Sequence, residues 1–144
     1  MELTLPDMMR QKVDALQQEL AKLPQYQPET KHYFHAGMYC REVFRHAGVL
    51  VVGAVHRKEH FYMIVYGTVS ITDGEGNAQE VTGPHIFMSK PGTKRAVYAH
   101  TDALCMTFHV TDATTVEQAE QELVEPDPTS MFTLGNKLKQ ELLS

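Results

Sequence analysis

Gly48-Val49-Leu50-Val51-Val52-Gly53-Ala54-Val55-His56-Arg57-Lys58-Glu59-His60-Phe61-Tyr62-Met63-Ile64-Val65-Tyr66-Gly67 reads as two β-strands with a polar turn between them. Both runs are rich in β-branched and aromatic side chains, which suit a pleated, half-buried surface, and glycine bounds the pair at each end. Outward from this stretch the same texture runs from Lys31 to Thr111, with glycine punctuation at Gly37, Gly74, Gly76, Gly83 and Gly92. Strands are expected near 32–35, 39–45, 49–56, 60–66, 68–72, 77–82, 85–89, 95–100 and 103–110. Asp73-Gly74-Glu75-Gly76-Asn77 is the clearest hairpin, because glycine supplies the positive φ of a tight reversal. So many short strands without intervening helices favour a sandwich or barrel over a parallel sheet.

Helical texture flanks this block. Met9, Val13, Leu16, Leu20 and Leu23 recur at three- and four-residue spacing, so residues 5–23 form an amphipathic helix whose polar side, including Asp14 and Gln17, faces water. Its apolar stripe must lie against the barrel or a neighbouring subunit. Pro24 and Pro28 end the helix and extend the chain. Two shorter helical patterns, 115–124 and 134–143, follow the strands. The chain thus divides into an N-terminal helix and linker (1–30), a β-barrel (31–111) and a helical tail (112–144).

A chain of 144 residues, 42% hydrophobic, supports one core. Its net charge of -5 argues against a nucleic-acid binder, which needs excess Lys and Arg to displace counterions. Cys40 and Cys105 have neither metal-ligand nor redox spacing and read as buried free thiols. The first residues lack a basic-then-apolar leader and no window suits a membrane span, so a soluble cytoplasmic protein with no membrane partner is expected.

The opening stretch resembles the first motif of the cupin superfamily, G-x5-H-x-H-x3-4-E-x6-G. Gly48 and Gly67 match its glycines and His56 its second histidine, while Ala54 replaces the first histidine and His60 the glutamate. The second motif, G-x5-P-x-G-x2-H-x3-N, is similar around Gly92, with Arg95 at the histidine, Ala99 at the asparagine, Lys90 at the first proline and Gly83 offset by one. The resemblance covers Met38 to Val110. It implies a mainly β fold, a single cupin-type double-stranded β-helix or jelly-roll barrel, with the N-terminal helix and short C-terminal helices outside it. It also implies homo-oligomers. The runs Gly37-Met38-Tyr39-Cys40-Arg41-Glu42-Val43-Phe44 and Ser89-Lys90-Pro91-Gly92-Thr93-Lys94-Arg95 resemble short cupin-like proteins of tailed bacteriophages, which implies a host-cytoplasm or virion setting.

Cupin metal sites hold a divalent ion between imidazoles and a carboxylate. Arg95 at a ligand position cannot ligate and opposes a cation by charge. The favoured reading is therefore a non-catalytic pocket for a small anion, with His56, His60, Arg95, Lys94 and Tyr62 as contacts, Lys90 as a further positive charge, and imidazoles able to change charge near neutral pH. Glu42 or Glu59 could instead pair with Arg95. The alternatives are a metal-dependent cupin enzyme, of dioxygenase or isomerase type, with a reduced ligand set, and a virion or host-interaction scaffold. For a divalent metal, His56 and His60 would gain a third donor from His109, His100 or His85. Strand parity turns His100 away if Arg95 faces the pocket. His32, His35 and His46 read as structural.

Overall fold

A computed structural model describes residues 5–73, 77–127, 130 and 132–135. Helix α1 spans Leu5–Leu20. It precedes strands β1 (Thr30–His35), β2 (Met38–Arg45), β3 (Leu50–Val52), β4 (His60–Tyr66), β5 (Thr68–Thr72), β6 (Ala78–Thr82), β7 (His85–Ser89), β8 (Ala96–Ala99) and β9 (Ala103–Val110), and helix α2 (Val116–Leu123) follows. The strands make two antiparallel sheets, ordered β1-β2-β9-β4-β7 and β3-β8-β5-β6. This is the expected mainly β jelly-roll barrel. No helix among the described residues is long and apolar enough to cross a membrane.

The sheets enclose an apolar core of Tyr62, Ile64, Val69, Ile71, Val81, Val97, Ala103 and Cys105. It fills one half of the barrel. Period-two alternation places these residues on inner faces, as in β9, where Ala103, Cys105, Thr107 and His109 are buried and their neighbours are not. Of the two free thiols, Cys105 is buried and Cys40 only half-buried.

The expected strand 49–56 is shorter, because its sheet pairing ends at Val52. Residues 55–57 instead pair with the C-terminal segment: Glu125 N–H donates to the Val55 carbonyl at 2.9 Å and Arg57 N–H to that of Leu123 at 2.8 Å. Tertiary contact here overrides a strong local β preference. The Asp73–Asn77 hairpin is closed by a 2.9 Å backbone bond, with its tip, 74–76, outside the described residues. The expected helix at 134–143 likewise lies outside them, apart from a turn at Leu134 and Gly135.

Helix α1 lays Val13, Leu16 and Leu20 on Leu50, Val52 and Ala96, the outer face of the four-stranded sheet. Its stripe therefore serves self-packing. The solvated polar face requires correction: Gln17 is fully buried and donates to Asp127 at 3.3 Å. Lys94, expected in the pocket, is buried beneath this helix, where it donates to Asp14 and, at 2.9 Å, to Asp127. Adjacent residues of an extended chain point oppositely, so with Arg95 directed inward, Lys94 points outward. A buried ammonium requires such partners, and these two carboxylates fasten both flanking segments to the barrel. Helix α2 is capped by Thr115, whose hydroxyl accepts from Gln118 N–H at 3.2 Å. It buries Ala119 and Leu123 against Tyr39 and Phe34.

Candidate functional site

The other half of the barrel is polar. Inner residues align in rows across the five-stranded sheet, one being His32, Arg41, Thr107, Tyr62 and Phe87 on successive strands. Beside it run Tyr39, opposite His109, and His60, opposite Ser89. With Arg45, Arg95, His56 and residues of α2 and the C-terminal segment, this surface lines a cavity of about 770 Å³.

His56, His60 and His109 meet there, with ring centroids 4.4, 4.6 and 5.0 Å apart and one nitrogen of each within 4.8 Å of the others. Of the three third donors considered, the structure brings in His109. His100 is exposed and bonded to Ser70 Oγ at 2.6 Å, while His85 is exposed beside Phe87. His60 Nδ1 donates to the Lys58 carbonyl at 3.3 Å, and His56 has a similar bond to Ala54, so each keeps its other nitrogen free. His109 Nε2 contacts Thr107 Oγ1 at 2.8 Å.

Burial and mutual repulsion hold these imidazoles neutral. Desolvation pulls His56 well below its ordinary value, with further lowering from His60, His109 and Arg41. Desolvation, then Arg95, lowers His60. Desolvation, His60 and Arg41 take His109 down to about 3. The expectation that these rings change charge near neutral pH is thereby corrected. The unfolded chain binds protons below about pH 6.5 that the folded chain refuses, so stability is complete above that pH and declines as acid is added. Each histidine contributes about 1.4 kcal/mol per pH unit. Thermal or urea unfolding of metal-free protein should lose about 2 to 4 kcal/mol between pH 7 and 5.5. A flat profile over that window would contradict the neutral cluster.

Three guanidinium groups face the same space. Arg95 donates to the Thr72 carbonyl at 3.0 Å and to Ser89 Oγ at 3.1 Å, and lies 5.6 Å from the Phe87 ring centre. Glu42 pairs instead with Lys31 on the outer face, and Glu59 is exposed. Arg41 Nε donates to the Leu134 carbonyl at 2.8 Å, and burial brings this group down to about 10, still cationic at neutrality. Arg45 donates from Nη2 to the Tyr62 hydroxyl at 3.2 Å and has the Cys105 thiol as a further polar neighbour, while among the described residues its Nε and Nη1 are buried without an acceptor. Burial pushes Tyr62 up to about 12, so its phenol is neutral. Among the described residues no carboxylate forms an ion pair with Arg41, Arg45 or Arg95. Tyr62 lines the cavity, and Lys90 is exposed outside it.

Arg41 and Arg45 are the residues that motif spacing overlooked. Their signal was parity: in the expected strand 39–45 they share a face with Tyr39 and Val43, both buried. The acidic rim from α2, Glu117 and Glu120, had no comparable signal, since only the helix's docking brings it to the cavity.

No protein-family model and no curated protein matches the sequence. Among solved structures, a cupin superfamily protein from Desulfitobacterium hafniense aligns at TM-score 0.51 and 14% identity, over 65% of this chain and 88% of that one. The cupin domain of Schizosaccharomyces pombe Cnp3 aligns at 0.51 and 15%, over 71% and 76%. The DMSP lyase DddQ from Ruegeria pomeroyi aligns at 0.53 and 12%, over 62% of this chain and 49% of that one. Likenesses at this identity speak for architecture, and together with the two facing antiparallel sheets they show that this chain has the cupin-type β-barrel fold.

Proposed function

We propose that the barrel binds a small organic anion, a carboxylate or phosphate held by Arg41, Arg45 and Arg95 beside the three neutral histidines. The carrying observation is Arg45, with two buried nitrogens lacking any acceptor among the described residues in a cavity of about 770 Å³. Burying an unpaired guanidinium costs several kcal/mol, and an anion that accepts from it recovers that cost. The cavity size is that of pockets for metabolite-sized ligands. The neutral imidazoles add no charge to the site, and with their N–H groups already given to backbone carbonyls, His56 and His60 offer free nitrogens that accept from a hydroxyl or N–H of such a ligand. In the phage setting implied by sequence resemblance, the ligand would come from host cytoplasm.

Calorimetric titration with inorganic phosphate and with mono- and dicarboxylates tests this reading. At least one class should bind, and Arg95→Met should weaken it by about tenfold or more, as expected for losing a charged bidentate contact. Failure of every class to bind, or unchanged affinity in the variant, would refute it.

A second reading rests on the histidine cluster. Three neutral imidazoles with converging nitrogens, the tautomers of His56 and His60 fixed by backbone carbonyls, fit a divalent transition metal, though the set lacks a carboxylate and stands near Arg41 and Arg95. His56, His60 and His109 would hold the ion, which would act as a Lewis acid toward the same bound anion. Metal analysis of gently purified protein should find a stoichiometric ion that is lost when His56 and His60 are both replaced by Ala; absence of metal retention after saturation and desalting removes this reading and leaves the arginine site untouched.

A further inference from the structure

The five-stranded sheet has a second face, and it is apolar. In an antiparallel sheet with one side to solvent, outward positions are normally polar. Here β9, the middle strand, points Leu104, Met106, Phe108 and Val110 outward. Register extends this into rows: Tyr33, Cys40, Phe108, Phe61 and Met88 lie side by side across all five strands, and Met106, Met63 and Ile86 continue the next row. Exposure reaches 80% at Met88, 75% at Val110, 54% at Ile86 and 49% at Phe61. On the other sheet α1 covers the corresponding face at Leu50, Val52 and Ala96 of β3 and β8. No described residue plays that part here.

We propose that this face is the interface of a homodimer, a second copy of the chain laying its own five-stranded sheet against it. Size is the first argument. Five strands about 4.8 Å apart and about 20 Å long present, with side-chain relief, roughly 700–800 Å². A standard interface takes about 800 Å² from each partner, so the face alone suffices for a stable dimer.

Charge and symmetry select a copy over a different protein. The charged side chains in these rows, Lys31 and Glu42, pair with each other at 3.9 Å near the β1 edge, leaving no excess of either sign to repel a like surface or to steer an oppositely charged one. A two-fold axis through β9 sets its apolar strip against itself and sends both Lys31–Glu42 pairs to the rim. Methionine at Met38, Met63, Met88 and Met106 lets two identical surfaces adjust to each other.

Sedimentation equilibrium at tens of micromolar tests the proposal. The protein should sediment at twice the 16.3 kDa chain mass. The double substitution Phe61→Lys and Met88→Lys, at exposed positions, should halve that mass while the circular dichroism spectrum remains native. Tyr98→Lys, exposed on the other sheet, should leave the dimer intact. A monomeric parent protein, or a double variant that stays dimeric, overturns the assignment. Should the double variant fail to fold, Val110→Lys alone should raise the dissociation constant at least tenfold, and an unchanged constant overturns it equally.

Discussion

Replacing Arg45 by methionine raises the stability of the ligand-free protein by about 1 to 3 kcal/mol and abolishes anion binding. The two effects have one origin. The guanidinium is buried, its neighbours are the neutral Tyr62 phenol and the Cys105 thiol, and among the described residues two of its nitrogens have no acceptor. Methionine fills comparable volume without a charge to desolvate. A group kept for packing would produce the opposite sign, because its removal would cost stability. Urea unfolding of parent and variant, combined with calorimetric titration, separates the cases. Lower stability in the methionine variant would make Arg45 structural, and unaltered affinity would remove it from the site.

Gly67→Ala destabilises the protein by about 3 to 5 kcal/mol, enough to abolish folding in a chain of modest stability. Gly67 has φ of +91°, where an L-residue is strained. A Cβ there would strike the Asp102 carbonyl oxygen and approach the Ala103 Cα within 2.6 Å. Both are backbone atoms at the start of the central strand β9 and cannot yield cheaply. Gly48, the other glycine of the first motif, gives the control: its φ is +84° but nothing lies within 4 Å of a Cβ. Gly48→Ala should cost only about 1 kcal/mol, the conformational part. Equal unfolding midpoints for the two variants would refute the close-approach explanation.

The two motif glycines show how spacing can be legible while its cause is not. Sequence places glycine at both ends of the stretch, but only the approach of the Asp102–Ala103 backbone distinguishes a position needing positive φ from one also needing the absence of a side chain. The site behaves similarly. His56, His60 and Arg95 are accessible through motif position, and His109 through its place in a strand. Arg41 and Arg45 were accessible through parity. Lys94 illustrates the limit: parity beside Arg95 turns it outward, but its burial and ion pairs depend on α1 and Asp127 meeting it from segments 80 and 33 residues away.

By itself, then, the sequence determined the order of strands, the turns between them and the residues able to carry charge or ligate, because period-two alternation and glycine placement act over a few neighbouring residues. Only the tertiary structure decided which charges remain unpaired. Burial and counter-charge depend on what distant strands and the C-terminal segment bring within a few ångströms, and this is what keeps three imidazoles neutral, leaves Arg45 in need of an acceptor, and exposes one sheet's apolar face while α1 covers the other's.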